Sequence, residues 1–186
     1  MIIYFIFAEN FLIMKPNVRP ILVIAMMFIS ALASLAQEIN KSIIDPKLNE
    51  KILIGYCNRA GLEEGDFGKS YKEYYSVYLP DKSTVTQLRK RLDNVEIIIV
   101  LGTWCSDSEE QVPKFLKVLD KIHFDDGDLT VICVDKDKLA GDVDISKYGI
   151  QKVPTFIIFR NANEIGRIVE TPMNSLEGDL LMILED

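Results

Sequence analysis

The chain of 186 residues carries 21 lysines and arginines against 28 aspartates and glutamates, a formal net charge of −7. This acidic balance argues against a nucleic-acid partner, because binding to phosphates needs clustered basic side chains. The single histidine and the three cysteines lack the paired spacing of a zinc site. We therefore expect neither a metal nor a cofactor.

The first 36 residues have the order of a secretory signal peptide. From Met14, a basic start with Lys15 and Arg19 precedes the apolar run ILVIAMMFISAL and the small residues SLAQ. This order predicts cleavage after Ala36 and export to the periplasm or the outside of the cell, with Met14 as the true start. The alternative is an uncleaved membrane anchor, although the 16 residues from 21 to 36 fall short of the ~20 that a spanning helix needs.

Removal of residues 1 to 36 would leave 150 residues, and the charge would change from −7 to −8 because Glu9, Lys15 and Arg19 leave. That length is enough for a single hydrophobic core. All three cysteines remain, and they are Cys57, Cys105 and Cys133. An odd number in an exported protein leaves at least one thiol available to another molecule.

Residues 37 to 80 are predicted to form a helical N-terminal extension. Asp45-Pro46 fits the first turn of a helix, whereas KILIGYC fits either a continuation of that helix or a short strand. The glycines of NRAGLEEGDFG indicate a loop. Four tyrosines follow at helical spacing, and they fit packing on the core better than a platform for a ligand; they are Tyr71, Tyr74, Tyr75 and Tyr78.

Residues 81 to 186 are predicted to form the main domain. A short helix carries Val85 and Leu88, with Asp81 or Ser83 as its cap. VEIIIVL and LTVICV are two buried strands on either side of an amphipathic helix, an order that predicts parallel pairing with a right-handed crossover. KVPTFIIF and EIGRIVE predict an antiparallel hairpin, and Ser175 caps a last helix.

Two segments carry a resemblance to a known family. GTWCSDSEEQVP places Trp104 and Cys105 between a buried strand and a helix, and KYGIQKVPTFIIF precedes the hairpin. With these segments, residues 95 to 185 resemble the thioredoxin family, so the expected fold is a mixed sheet flanked by helices. The resemblance implies that Cys105 is the nucleophile and that the Val153–Pro154 bond is cis. It also implies that Trp104, Val153, Pro154 and Thr155 bind the substrate chain.

The sequence departs from the family pattern beside the cysteine. Ser108 stands where the family carries a second cysteine, so no neighbouring thiol can release a partner bound to Cys105. The amides at the helix start favour a thiolate, whereas the nearby Asp107 opposes it, and Lys152 is the basic residue that the resemblance brings near. Cys57 either fills space or is the missing resolving thiol, which would need the two Cα atoms to lie within about 7 Å.

Two functions remain open from the sequence. The first is an exported thiol–disulfide oxidoreductase with a single nucleophilic cysteine, which acts on disulfides of other exported proteins or on adducts of small thiols. The second is a non-catalytic module that binds extended peptides on the same scaffold, since a fold does not determine a function. A peroxide-reducing cysteine ranks below both, because no arginine is expected near Cys105. A membrane contact is expected only if the signal segment stays uncleaved.

Overall fold

The computed structural model of the chain describes residues 38 to 185. These residues belong to one compact unit, Glu38–Asp186. The predicted signal peptide lies outside the described residues. Among the helices of residues 38 to 185, none combines the length and the apolar character that crossing a membrane requires.

The described chain folds into strands and helices in the following order: β1 (Ser42–Asp45), β2 (Glu50–Leu53), β3 (Gly55–Cys57), α1 (Arg59–Leu62), α2 (Gly65–Val77), α3 (Lys82–Leu88), β4 (Val95–Leu101), α4 (Ser106–Ile122), β5 (Leu129–Cys133), β6 (Thr155–Arg160), β7 (Asn163–Val169) and α5 (Leu176–Glu185). Short 3-10 turns lie at Asp126–Asp128 and Ser146–Tyr148.

Five of the strands form one sheet with the order β3-β5-β4-β6-β7, and β1 and β2 form a separate hairpin. Strands β4 and β5 run parallel, as their connection through α4 predicts. The other pairs of the sheet are antiparallel. The predicted fold class, a mixed sheet flanked by helices, is confirmed.

The first part of the predicted helical extension is not helical. At Asp45-Pro46 the chain makes the turn between β1 and β2, so the predicted helix start there is wrong. The Asp45 carboxylate accepts hydrogen bonds from the backbone N–H groups of Lys47 and Leu48 at 2.7 and 3.0 Å. Such local side-chain bonds favour a turn over a helix.

The remaining part of residues 37 to 80 is built into the main sheet. KILIGYC supplies β2 and β3, and β3 pairs with β5 through the partners Tyr56 and Ile132. The helices of this section, α1 and α2, carry the buried Leu62, Phe67 and Tyr71 into the same core as the rest of the domain. Residues 37 to 80 therefore share both sheet and core with residues 81 to 186.

Each face of the sheet carries a hydrophobic cluster. The larger cluster contains Ile97, Ile99 and Leu101 of β4 together with buried residues from each of the helices α1 to α5. The smaller cluster contains Val100 and residues of the segment that follows β5. Ile99 and Val100 are neighbours in β4, but Ile99 belongs to the larger cluster and Val100 to the smaller one. Because successive side chains of a strand point to opposite faces, the two clusters lie on opposite sides of the sheet.

The predicted tyrosine stripe packs on the larger cluster. Tyr71 is buried in it, and Tyr75 and Tyr78 lie against it with partly buried rings. The rings of Tyr71 and Tyr75 stack with centroids 5.7 Å apart. The interpretation of these three residues as a packing surface is confirmed.

Candidate functional site

The Cys105 thiol lies at the start of α4, on the smaller-cluster side of the sheet. Cys105 is the N-cap residue of that helix, and its side chain packs against the smaller cluster. It is half-buried, whereas Cys57 and Cys133 are buried. Its Sγ donates a hydrogen bond to the backbone carbonyl of Val153 at 3.3 Å. The tertiary fold thus brings the cysteine to a loop 48 residues further along the chain.

The loop that Cys105 faces is built from buried residues. The Val153–Pro154 peptide bond is cis. Val153 and Thr155 are buried, with exposed fractions of 4% and 2%, and the Thr155 hydroxyl donates to the carbonyl of Lys152 at 2.7 Å. Among the described residues, the Val153 N–H donates no backbone–backbone hydrogen bond outside the helices and strands.

Trp104 is fixed beside the thiol by one hydrogen bond and by close packing. Its indole N–H donates to the backbone carbonyl of Val134 at 2.8 Å. The ring lies over Gly102, where an added Cβ would be 2.5 Å from a ring carbon. The ammonium groups of Lys136 and Lys138 lie 4.2 and 5.4 Å from the ring centroid. Trp104 therefore joins the Cys105 site to the segment after β5.

Ser108 has a structural position. Its side chain is fully buried, and its Oγ accepts a hydrogen bond from the backbone N–H of Gly102 at 3.4 Å. The hydroxyl links the first turn of α4 to the end of β4. A hydroxyl is not a thiolate-like nucleophile without a dedicated base, so Ser108 cannot replace a resolving cysteine.

The charge of Lys152 is paired with a carboxylate. Its ammonium pairs with Glu170 at 2.6 Å, and that hydrogen bond is the main reason why the pKa of Lys152 is raised, with a smaller contribution from Asp107. The cation is therefore already neutralised by a carboxylate on the neighbouring strand end. Asp107 lies in the first turn of α4, as predicted.

The structure does not bring Cys57 to Cys105. Cys57 and Cys133 lie in the larger cluster, while Cys105 lies against the smaller one, so the sheet separates them. The neighbouring Cys133 thiol lowers the pKa of Cys57, and burial raises the pKa of Cys133. The candidate resolving thiol is instead one half of a buried pair, and Cys133 is a packing residue of the larger cluster.

Sequence reasoning missed a wall of the site that the β1–β2 hairpin forms. The backbone N–H of Leu53 in β2 donates to the Thr103 hydroxyl at 3.1 Å, two residues before Cys105. At the other end of the hairpin, the Asp45 carboxylate accepts from the backbone N–H of Lys136 at 3.2 Å. Aspartate followed by proline is also a turn signal, so the hairpin turn could have been predicted, but its docking partners could not.

Within residues 38 to 185, no group of three or more histidine, cysteine or acidic side chains is arranged to hold a metal ion.

Comparison with known proteins gives similarity to solved structures alone. No protein-family model matches the chain, and no curated protein matches it. A protein of unknown function from Pseudomonas aeruginosa is 15% identical with a TM-score of 0.47, over 64% of this chain and 81% of that protein. A reduced thioredoxin pre-protein from Schistosoma mansoni is 26% identical with a TM-score of 0.36, over 56% and 90%.

Oxidised mitochondrial thioredoxin 3 from Saccharomyces cerevisiae is 21% identical to the chain with a TM-score of 0.31, over 54% of this chain and 86% of that protein. At TM-scores this low, the similarity says nothing about the activity of this chain.

Proposed function

We propose that the chain is an exported thiol–disulfide oxidoreductase-like protein that works through one nucleophilic cysteine, Cys105. The main observation in support is the half-buried Cys105 thiol at the N-cap of α4, whose Sγ lies 3.3 Å from the Val153 carbonyl oxygen. The N–H groups of the first helical turn favour a thiolate at this position. The signal-like segment of residues 1 to 36 supports export to the periplasm or beyond the cell.

The proposed reaction is a thiol–disulfide exchange in two steps. The Cys105 thiol loses its proton to solvent, and its sulfur attacks one sulfur of a substrate disulfide. The substrate S–S bond breaks, a mixed disulfide with Cys105 forms, and the second substrate sulfur leaves as a thiolate. An external thiolate then attacks the partner sulfur of the mixed disulfide. Cys105 leaves as the thiolate, and the partner is released in a disulfide with the external thiol.

The absence of a resolving thiol on the Cys105 side of the sheet decides which exchanges are favoured. Cys57 and Cys133 lie in the cluster on the other face, and Ser108 is a buried hydroxyl. A mixed disulfide on Cys105 therefore persists until a thiol of another molecule attacks it. Such a protein suits isomerisation of disulfides in exported proteins, or removal of small-thiol adducts, better than rapid two-electron reduction.

The backbone beside the cysteine offers a place for an extended substrate chain. The Val153 N–H, two residues before β6, donates no backbone–backbone hydrogen bond among the described residues, and an unpaired N–H beside a sheet can bind a carbonyl of another chain. Trp104 directly precedes Cys105 in the chain. We assign the substrate chain to this edge.

Alkylation of each cysteine, followed by mass spectrometry, tests the proposal. At pH 7 we expect Cys105 to react faster than free cysteine in the same buffer, and Cys57 and Cys133 to react only slowly while the protein is folded. Cys105→Ser is the control, and it removes the fast phase. A Cys105 that reacts no faster than the buried pair contradicts the proposal.

One observation favours a second function, a non-catalytic module that binds peptides. The Cys105 thiol donates a hydrogen bond to the Val153 carbonyl. Only the protonated sulfur can make this bond. In that case a reduced peptide would bind wild type and Cys105→Ser equally, and no mixed disulfide would form with an oxidised peptide. The exchange mechanism requires the opposite result with the oxidised peptide.

A further inference from the structure

We propose that Trp104, Lys136 and Lys138 form a cationic subsite beside Cys105, which binds the carboxylate of a small disulfide substrate. The inference rests on the proposed function and names the substrate class of that site. Its basis is the position of two ammonium groups over the ring of the residue that directly precedes the reactive thiol.

The two lysines are held at the ring without using up their hydrogen-bonding capacity. The Lys136 ammonium lies 4.2 Å from the Trp104 centroid, and the Lys138 ammonium 5.4 Å from it. An aromatic face attracts a cation through its quadrupole, whereas an ammonium group has three N–H donors. Lys138 donates one hydrogen bond to the Lys136 carbonyl at 3.1 Å, so N–H donors of both ammonium groups remain available to bind a carboxylate.

The acidic residues of the same segment are occupied elsewhere. The Asp135 carboxylate accepts from the backbone N–H groups of Asp137 and Leu139 at 2.8 and 2.9 Å. Asp137 pairs with Lys47 of the hairpin turn. Within residues 38 to 185, Lys136 and Lys138 take part in no ion pair. The two ammonium groups of this segment that no carboxylate pairs with therefore both lie at the Trp104 ring.

The β1–β2 hairpin holds the segment in place. The Asp45 carboxylate is 1% exposed and accepts from the Lys136 backbone N–H at 3.2 Å, while Lys47 pairs with Asp137. These contacts act on the backbone and on the acidic side chain, and leave the two lysine side chains at the ring. Asp45 is in this sense a positioning residue for the subsite.

Acidic side chains at the start of α4 work against an anionic ligand, so the preference must come from local placement. Asp107 and Glu109 lie in the first turn of that helix, and Glu110 is paired with Lys114. Charges at exposed positions act over about 10 Å at 0.1 M salt. A preference that the two lysines create therefore weakens as salt is added.

The test compares two aromatic disulfides that differ in charge. The full chain reacts with dithiobis(nitrobenzoate), which carries carboxylates, or with dithiodipyridine, which is neutral at pH 7.5. In either case the Cys105 sulfur forms a mixed disulfide and one aryl thiolate is released, which absorbance follows. Cys105→Ser gives the background from the buried cysteines.

For Lys136→Gln combined with Lys138→Gln, we expect the rate with the anionic disulfide to fall about three- to tenfold at low salt. The rate with the neutral disulfide should stay within about twofold of wild type, and the difference between probes should shrink at high salt. Lys90→Gln with Lys121→Gln is the matched control, because Lys90 follows the end of α3 and Lys121 lies in the last turn of α4, at the opposite end of that helix from Cys105.

The outcomes separate the two proposals. An equal rate of the lysine variant and wild type with the anionic disulfide overturns the subsite, and so does an equal fall with both probes. If wild type reacts with the neutral disulfide no faster than Cys105→Ser does, the proposed function itself fails.

Discussion

The carboxylate of Asp45 accepts a hydrogen bond from the backbone N–H of Lys136, 91 positions away in the sequence, at 3.2 Å. Asp45 ends the first strand of the N-terminal hairpin, and Lys136 follows the β5 strand of the main sheet. The same carboxylate closes its own turn through Lys47 and Leu48. One buried side chain thus fixes the hairpin turn and joins it to the segment over Trp104.

Replacement Asp45→Asn should lower the melting temperature at pH 7 by about 3–8 °C, because an amide accepts these three N–H bonds less well than a carboxylate. Burial alone would raise the pKa of Asp45, but the bonds from Leu48, Lys136 and Lys47 lower it below its ordinary value of 3.8. The stability from Asp45 is therefore complete above that value and is lost as the pH falls through the folded pKa. Calorimetry from pH 7 to pH 2.5 should show the two proteins converging in acid.

Asp142→Asn is the matched control for this prediction. Asp142 is an exposed carboxylate whose ion pair with Lys41 is 3.4 Å long, and such pairs contribute little to stability. An equal loss of melting temperature in both variants would contradict the assigned role. So would a difference in melting temperature between wild type and Asp45→Asn that grows as the pH falls.

Replacement Ser108→Cys should give Cys105 a resolving thiol. In a helix, side chains three residues apart are neighbours, and their Cα atoms lie within the range that a disulfide spans. We expect a mixed disulfide on Cys105 to release its partner without added thiol, leaving a disulfide between Cys105 and the introduced thiol. Intact-mass spectrometry follows both species. Ser106→Cys is the control, since adjacent residues of a helix do not face each other, and it should leave the mixed disulfide in place.

Replacement Cys57→Ala should not change the lifetime of a mixed disulfide on Cys105. Cys57 lies in the larger cluster and Cys105 against the smaller one, so the two sulfurs cannot meet while the sheet is intact. In wild type and variant alike, the adduct should persist until an external thiol is added. A longer-lived adduct in the variant would mean that Cys57 reaches Cys105 after all. Mass spectrometry of the quenched reaction distinguishes the two results.

Replacement Tyr78→Phe should destabilise the domain by about 1–2 kcal/mol. The Tyr78 hydroxyl donates to Glu177 at 2.6 Å, and Glu177 is 5% exposed. Burial and this hydrogen bond raise the pKa of Tyr78. Without the hydroxyl, the buried carboxylate keeps only the Asp81 N–H at 3.0 Å among the described donors. Chemical denaturation measures the change in the free energy of unfolding.

The control for that change is Tyr74→Phe. Tyr74 is half-buried in α2, the helix that ends directly before Tyr78, and the cation–π contact of its ring with Lys114 survives the substitution. We expect a loss below about 0.5 kcal/mol. Similar losses in the two variants would show that the Tyr78–Glu177 hydrogen bond is not the cause.

Local pattern was sufficient for the parts of the fold in which neighbouring residues decide the structure. The run VEIIIVL predicted the buried strand β4, and the spacing of apolar residues after Val112 predicted α4. Asp81 caps α3 with a bond from the Thr84 N–H at 2.8 Å, as one of the two predicted caps. These signals act within one turn or one strand, so the sequence carries them directly.

The Asp45 turn shows where the same approach failed. Asp-Pro is compatible with both a helix start and a turn, and the choice between them depended on partners far along the chain. The Lys136 N–H is one such partner, and the Thr103 hydroxyl, which receives the Leu53 N–H, is another. No local pattern contains either contact.

The sequence by itself determined that Cys105 is the cysteine at a strand-to-helix junction and that Ser108 leaves it without a neighbouring thiol. Only the tertiary structure decided on which side of the sheet each cysteine lies. Side chains alternate between faces along a strand, and a shift of register by one residue reverses every face. The pairing of β3 with β5 therefore placed Cys57 beside Cys133, and long-range docking of the hairpin, not local preference, assembled the wall around Trp104.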